Sequence, residues 1–153
     1  MKKLVLTTVI ILVISLLTTG FVLAAGSCTV TNKGRQRGLI QYAWDWTSDG
    51  SGDCDTGASE AIGGTIVQVR LVPDTGGTAP DDEHNIYLKD ANGFDWLFGV
   101  GVGAEQSVTD SSNVRTPLTT DGAYPILHSQ TLTPTVDSAG DSNGGIIYLL
   151  IKE

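Results

Sequence analysis

Basic side chains are the first thing this chain lacks. Its 153 residues hold 9 Lys and Arg against 17 Asp and Glu, a formal net charge of −8. A surface of that sign repels phosphate backbones and anionic lipid heads, which excludes direct nucleic-acid binding. Histidine is nearly absent as well. His84 and His128 stand with no H-E-x-x-H, no second ligand at helical spacing and no Ser-Gly elbow, so the sequence supports neither a zinc site nor acid–base work. The glycine run Gly99-Val100-Gly101-Val102-Gly103 lacks the G-x-G-x-x-G spacing, the Lys and the following helix that phosphate cradles need. No fixed-period repeat occurs. There is one Met and few helix-forming runs, whereas glycine is plentiful at 19. That balance points to strands joined by many turns, and the absence of any acid–base pair points away from an enzyme.

Charge and hydrophobicity are most polarised at the N-terminus. Met1-Lys2-Lys3, the apolar stretch Leu4–Leu17 and a small-residue exit at Val22-Leu23-Ala24 have the order of an export signal over residues 1–24, with Ala25 as the new terminus. The rival is an uncleaved membrane anchor, since the apolar run approaches spanning length. Without Lys2 and Lys3, 7 basic residues face 17 acidic ones, and the net charge moves from −8 to −10. Two cysteines remain, Cys28 and Cys54. In an exported chain such a pair predicts a disulfide, worth on the order of 3 kcal/mol in the chain-entropy model. The alternative is a lipobox, Ala25-Gly26-Ser27-Cys28, which would tether the protein through a lipidated Cys28. An anchor or that lipid is the only route to a membrane; the expected location is periplasm, cell envelope or exterior.

The mature chain then reads as an extended arm over 25–36 followed by one domain over 37–153. Arg37–Thr47 alternates, with Ile40, Tyr42, Trp44 and Trp46 on one face and Leu39, Gln41, Ala43 and Asp45 on the other. Thr65–Val72 alternates too, with Val67, Val69 and Leu71 on one side and Gln68 and Arg70 on the other. A hairpin is expected around Asn92-Gly93. A two-residue loop would oppose Asp90 to Asp95, whereas the three-residue loop Ala91-Asn92-Gly93 opposes Lys89 to Asp95, with Gly93 left-handed. That register places Ile86, Leu88, Trp96 and Phe98 on one face and Tyr87, Lys89, Asp95 and Leu97 on the other. Val114–Leu118 predicts a short edge piece. Gln130–Val136 predicts a strand with Leu132 and Val136 inward, demoted to an edge or bulge by Pro134. The run Ile146–Ile151 predicts a strand covered on both faces. Together these give an all-β class: a single antiparallel β-sandwich or jelly-roll-like domain behind the signal peptide.

Three clusters are candidates for chemistry. Asp49, Ser51, Asp53, Asp55 and Glu60 place oxygens at the spacing of a calcium loop, although Cys54 occupies the glycine position and a strand precedes the loop; the rival is a solvated acidic turn. Calcium is the one cofactor this loop admits; otherwise none is implied. Asp81-Asp82-Glu83-His84 reads as a second solvated acidic turn. Trp44, Trp46 and Trp96, with Tyr42, would form a platform for sugar rings or, by the same spacing, one wall of the core.

The stretches R-G-L-I-Q-Y-A-W-D-W-T-S-D-G-S-G-D (Arg37–Asp53), G-G-T-I-V-Q-V-R-L-V-P-D-T-G-G-T-A-P-D-D-E-H-N-I-Y-L-K-D-A-N-G-F-D-W-L (Gly63–Leu97) and S-A-G-D-S-N-G-G-I-I-Y-L-L-I together resemble small proteins encoded among tailed-phage and prophage structural genes. The resemblance spans roughly residues 35–151. It implies a compact β-sandwich virion component of decoration or cement type, and it carries over no functional residue. The expected function is therefore a non-enzymatic exported structural or interaction module, meeting protein partners or copies of itself. The alternative is a carbohydrate-binding module using surface tryptophans.

Overall fold

A computed structural model describes residues 26–55, 57–103, 114–116 and 121–153. The signal segment 1–24 and the expected peptidase site lie outside them. The strands are β1 (Ser27–Gln36), β2 (Leu39–Thr47), β3 (Glu60–Pro73), β4 (Asn85–Lys89), β5 (Val114–Arg115), β6 (Ile126–Asp137) and β7 (Gly144–Lys152). They pair antiparallel in the order β1-β2-β7-β3-β6-β4, with β5 on the side of β3. The all-β class expected from the sequence holds, as one curled antiparallel sheet.

The stretch expected as an extended arm is a full strand. β1 turns into β2 through Arg37-Gly38, both at positive φ (53° and 77°), so Gln36 pairs with Leu39 across a two-residue loop. Paired positive φ values match the right-handed twist of the flanking strands. β2 then delivers its expected face: Ile40, Tyr42, Trp44 and Trp46 are all buried. In register with β7 they meet Ile151, Leu149, Ile147 and Gly145. Glycine at 145 matches the indole opposite, since a Cβ there would stand 3.2 Å from Trp46 Cε2 and 2.8 Å from the Val72 carbonyl oxygen.

β7 lies between β2 and β3. Its run Ile146–Ile151 is not covered on both faces: Ile147, Leu149 and Ile151 are buried, whereas Ile146, Tyr148 and Leu150 are half-buried on the outer side. β3 begins at Glu60, before the expected start at Thr65, and changes partner midway. Its first half pairs with β6 up to Thr65, and from Thr65 onward it pairs with β7. Gly64 marks the switch, at φ +116 beside a bulge. A second bulge between Ile66 and Gln68 leaves Val67 as the extra residue, so Ile66, in the place expected of Val67, is buried on the side of Val69 and Leu71. One added residue reverses the alternation on one side of it only.

β6 is interior to the sheet path and not an edge. It pairs with β3 through Ile126–Leu132, across an irregularity between Leu127 and Gln130, and with β4 through Thr133–Asp137. Cys54 exchanges both backbone hydrogen bonds with Val136. By the period of two, the missing N–H of Pro134 lies on the same side as that exchange, away from β4. There it faces Gly57, where a Cβ would come within 2.9 Å of the proline ring.

The hairpin register is as expected up to one point. Lys89 pairs with Asp95, and Gly93 has φ +79. Beyond Asp95 no strand returns. The Asp95 carboxylate accepts the backbone N–H of Leu88, Leu97 and Gly99 (3.1, 3.0 and 3.1 Å), and the chain coils through successive turns to Gly103. The expected faces are corrected accordingly: Leu97 is fully buried, and Trp96 and Phe98 are half-buried outside it. This coil lies along β4 through Trp96 N–H to the Leu88 carbonyl and Ile86 N–H to the Gly101 carbonyl.

Candidate functional site

The outer side of the sheet carries a shaped feature. Strands β2, β7 and β3 lie side by side, and their outward residues fall into rows by register. Gln41 pairs with Leu150 and Leu150 with Gln68; one row along, Tyr148 pairs with Arg70. These five side chains line an open hollow of about 330 Å³. That size is at the lower end of small-ligand sites. Within it Leu150 and Tyr148 supply apolar surface between two amides and a guanidinium.

Hydrogen-bonding capacity is what separates this hollow from the interior. No buried side-chain nitrogen or oxygen among the described residues lacks a partner. In the hollow, which is open to solvent, the side chains of Gln41, Gln68, Arg70 and Tyr148 make no hydrogen bond or ion pair with another described residue. The ion pair of the described residues joins Arg35 to Glu153 at 2.8 Å, both exposed, and leaves Arg70 aside. Among the described residues the Arg70 guanidinium has no carboxylate partner. Its planar fork of donors suits a carboxylate.

None of these five residues was singled out from the sequence as a site. They come from positions 41, 68–70 and 148–150; alternation with Val69 and Leu71 already puts Gln68 and Arg70 on the outer face, and the pairing register sets them beside β7. The available signal was weak: polar residues alternating with the core pattern in two strands.

The residues expected to do chemistry sit elsewhere. Trp44 and Trp46 are 0% and 2% exposed, so they form core wall and no platform. The Trp44 indole N–H donates to the Ala58 carbonyl oxygen (3.2 Å), and Trp46 packs against the His84 ring. Trp96 joins Phe94 and Phe98 in a set of edge-to-face contacts over 5.3–6.3 Å, with its indole N–H on the Asp90 carboxylate (3.2 Å). Burial raises the Asp90 pKa, but the Trp96 indole and the backbone N–H groups of Phe94 and Asn92 outweigh it, and the carboxyl titrates below its ordinary value. His84 is buried with its Nδ1 2.8 Å from the Asp81 carbonyl oxygen, a structural position.

The acidic loop is built as a turn. Asp49 accepts the backbone N–H of Ser51 (2.7 Å) and Asp53 (3.1 Å) on one carboxylate oxygen, and Asp53 accepts that of Ser138 (3.3 Å). The Asp49 oxygen closes the loop on itself, and the Asp53 oxygen ties it to the residue after β6. No three His, Cys, Asp or Glu side chains of the described residues gather at metal-holding distance. The described loop is an acidic turn capped by its own Asp49 carboxylate. Its charge reaches β6: burial raises the Asp137 pKa, Lys89 lowers it, and Asp53 and Asp55 push it further up.

Cys28 and Cys54 stand at disulfide distance, Cα to Cα 6.8 Å, and both are buried. Cys28 also accepts the Ala58 N–H on its carbonyl (3.0 Å), so the segment after Cys54 is held between β1 and β6. Such a pair fits an oxidising, exported location. No helix of the described residues is long and apolar enough to cross a membrane. Comparison with protein-family models, curated proteins and solved structures found no match for this chain.

Proposed function

We propose that this protein is an exported, non-enzymatic interaction module, a cysteine-tied β scaffold whose working surface is the outer face of β2, β7 and β3. The observation that carries the reading is the contrast in polar satisfaction. Buried side chains are fully partnered, and four polar side chains gather around one open hollow with donors and acceptors that no described residue takes up. Surface recognition by a rigid sheet also accords with the structural role that the virion-component resemblance implies. Carbohydrate recognition, if it occurs, belongs to this face and not to Trp44 or Trp46, which no ligand can reach.

The test is site-specific photo-crosslinking on the full chain in bacterial cells, combined with fractionation. A photoreactive residue replacing Gln68 should capture a partner in the exported fraction, and one replacing the exposed Asn92 at the hairpin tip should not. Retention of a reduced chain in the cytoplasm, or equal capture from both positions, overturns the proposal.

A further inference from the structure

The geometry points to a ligand class for this hollow: a saccharide unit that carries a carboxylate, such as a uronic acid. The inference rests on the outer face being the working surface. Three features of the site select the class together. Arg70 offers donors only, in a fork that matches a carboxylate bidentately. Gln41 and Gln68 each offer both a donor and an acceptor, which is what hydroxyl groups require, since a hydroxyl both gives and takes. A simple anion would use Arg70 and leave the amide oxygens unmatched. The surface between them, Leu150 and Tyr148, is apolar and suits the C–H face of a sugar ring.

Spacing agrees. Gln41 and Gln68 flank Leu150 from the two neighbouring strands, one on each side. Adjacent strands are about 4.8 Å apart, which separates the two amide-bearing backbones by about 10 Å, room for one ring between them. Arg70 lies two residues along β3 from Gln68 on the same face, next to Tyr148. The acidic remainder of the surface adds selectivity. Long-range repulsion disfavours polyanions at large, so an acidic sugar is held only where a local cation outweighs the field.

The experiment titrates the isotopically labelled, oxidised mature chain with methyl glucuronide, methyl glucoside, acetate and a short acidic peptide, followed by backbone amide shifts. Saturable shifts for the glucuronide, centred on Gln41, Gln68, Arg70, Tyr148 and Leu150, are expected. The glucoside should bind about tenfold or more weakly, as loss of a charge-assisted hydrogen bond implies. Arg70→Gln should cost the glucuronide the same factor. Arg35→Gln, which removes the exposed cation paired with Glu153, should leave binding within about twofold. Acetate or the peptide matching the glucuronide, the glucoside matching it, or equal effects of the two Arg variants would each refute the saccharide assignment. Shifts centred on the 94–103 coil would refute the outer face itself, and no saturable shift with any probe would refute the ligand class.

Discussion

Replacing Gly64 by Ala tests the account of how the sheet folds back. Gly64 holds φ at +116, a conformation L side chains rarely adopt, and a Cβ there would lie 2.7 Å from Ile151 Cγ2 and 2.7 Å from the Lys152 carbonyl oxygen. Two costs therefore add. Backbone strain contributes about 1–2 kcal/mol, and overpacking against a fully buried Ile151 another 1–3, for about 2–5 kcal/mol in total. Two other glycines separate these terms. Gly93 has φ +79 with nothing within 4 Å, so Gly93→Ala should cost the strain alone, about 1–2 kcal/mol. Gly77 has neither positive φ nor a neighbour within 4 Å, and Gly77→Ala should lie within about 0.5 kcal/mol of the parent. Urea unfolding followed by emission of the buried tryptophans gives all three values. If Gly64→Ala costs no more than Gly93→Ala, the close approach of β3 to β7 at the switch of partners is refuted.

Reduction of the cysteine pair, or Cys28→Ala with Cys54→Ala, should destabilise the fold: a separation of 26 residues gives about 3.5 kcal/mol by chain entropy, measurable in the same assay, with two free thiols in exported material counting against the bond. Asp95→Ala should destabilise by more than Lys89→Ala, because it strips three backbone N–H groups of their acceptor, whereas the Lys89 ammonium lies 4.5 Å over the Tyr87 ring and makes no ion pair with Asp95; equal losses in urea would show that the carboxylate does not cap the coil. Asp90 has its folded pKa below the unfolded value, so the stability it brings is present above the ordinary carboxylate range and lost as pH falls through the lowered folded value. The Trp96 indole N–H resonance should report that step in an acid titration, and Asp90→Asn should abolish it. An unchanged step in the variant would assign it to another group.

The sequence made some of this legible and hid the rest for physical reasons. Ile40, Tyr42, Trp44 and Trp46 announce their strand because one buried face imposes a period of two over its whole length. Lys89 opposite Asp95 follows from a turn that accepts positive φ and from the repulsion a shorter loop would create. The missing return strand after Asp95 was not visible, because its cause is a single carboxylate collecting N–H groups from three backbone positions, a geometric event with no periodicity. Ile66 in place of Val67 was hidden because both are β-branched, so composition cannot locate the extra residue of a bulge. β1 was hidden because Thr, Asn, Lys and Gly interrupt its alternation. The hollow was least legible, since three strands far apart in sequence build it and pairing register alone aligns them.

Joining Cys28 to Cys54 also changes how load passes through the molecule. β1 and β2 both lie inside the covalent loop, and Cys54 is hydrogen-bonded to β6 through Val136. With the bond closed, tension applied at the N-terminal end reaches Cys54 through the cysteine link and cannot draw out the segment between the two cysteines. The 26 residues of the loop, about 90 Å of extended contour, stay locked away from the pull until the bond is reduced. Stretching the oxidised chain by its ends should thus release a contour shorter by that length than the reduced chain. Pulled from its ends, the oxidised chain can lengthen only by unravelling residues outside that loop.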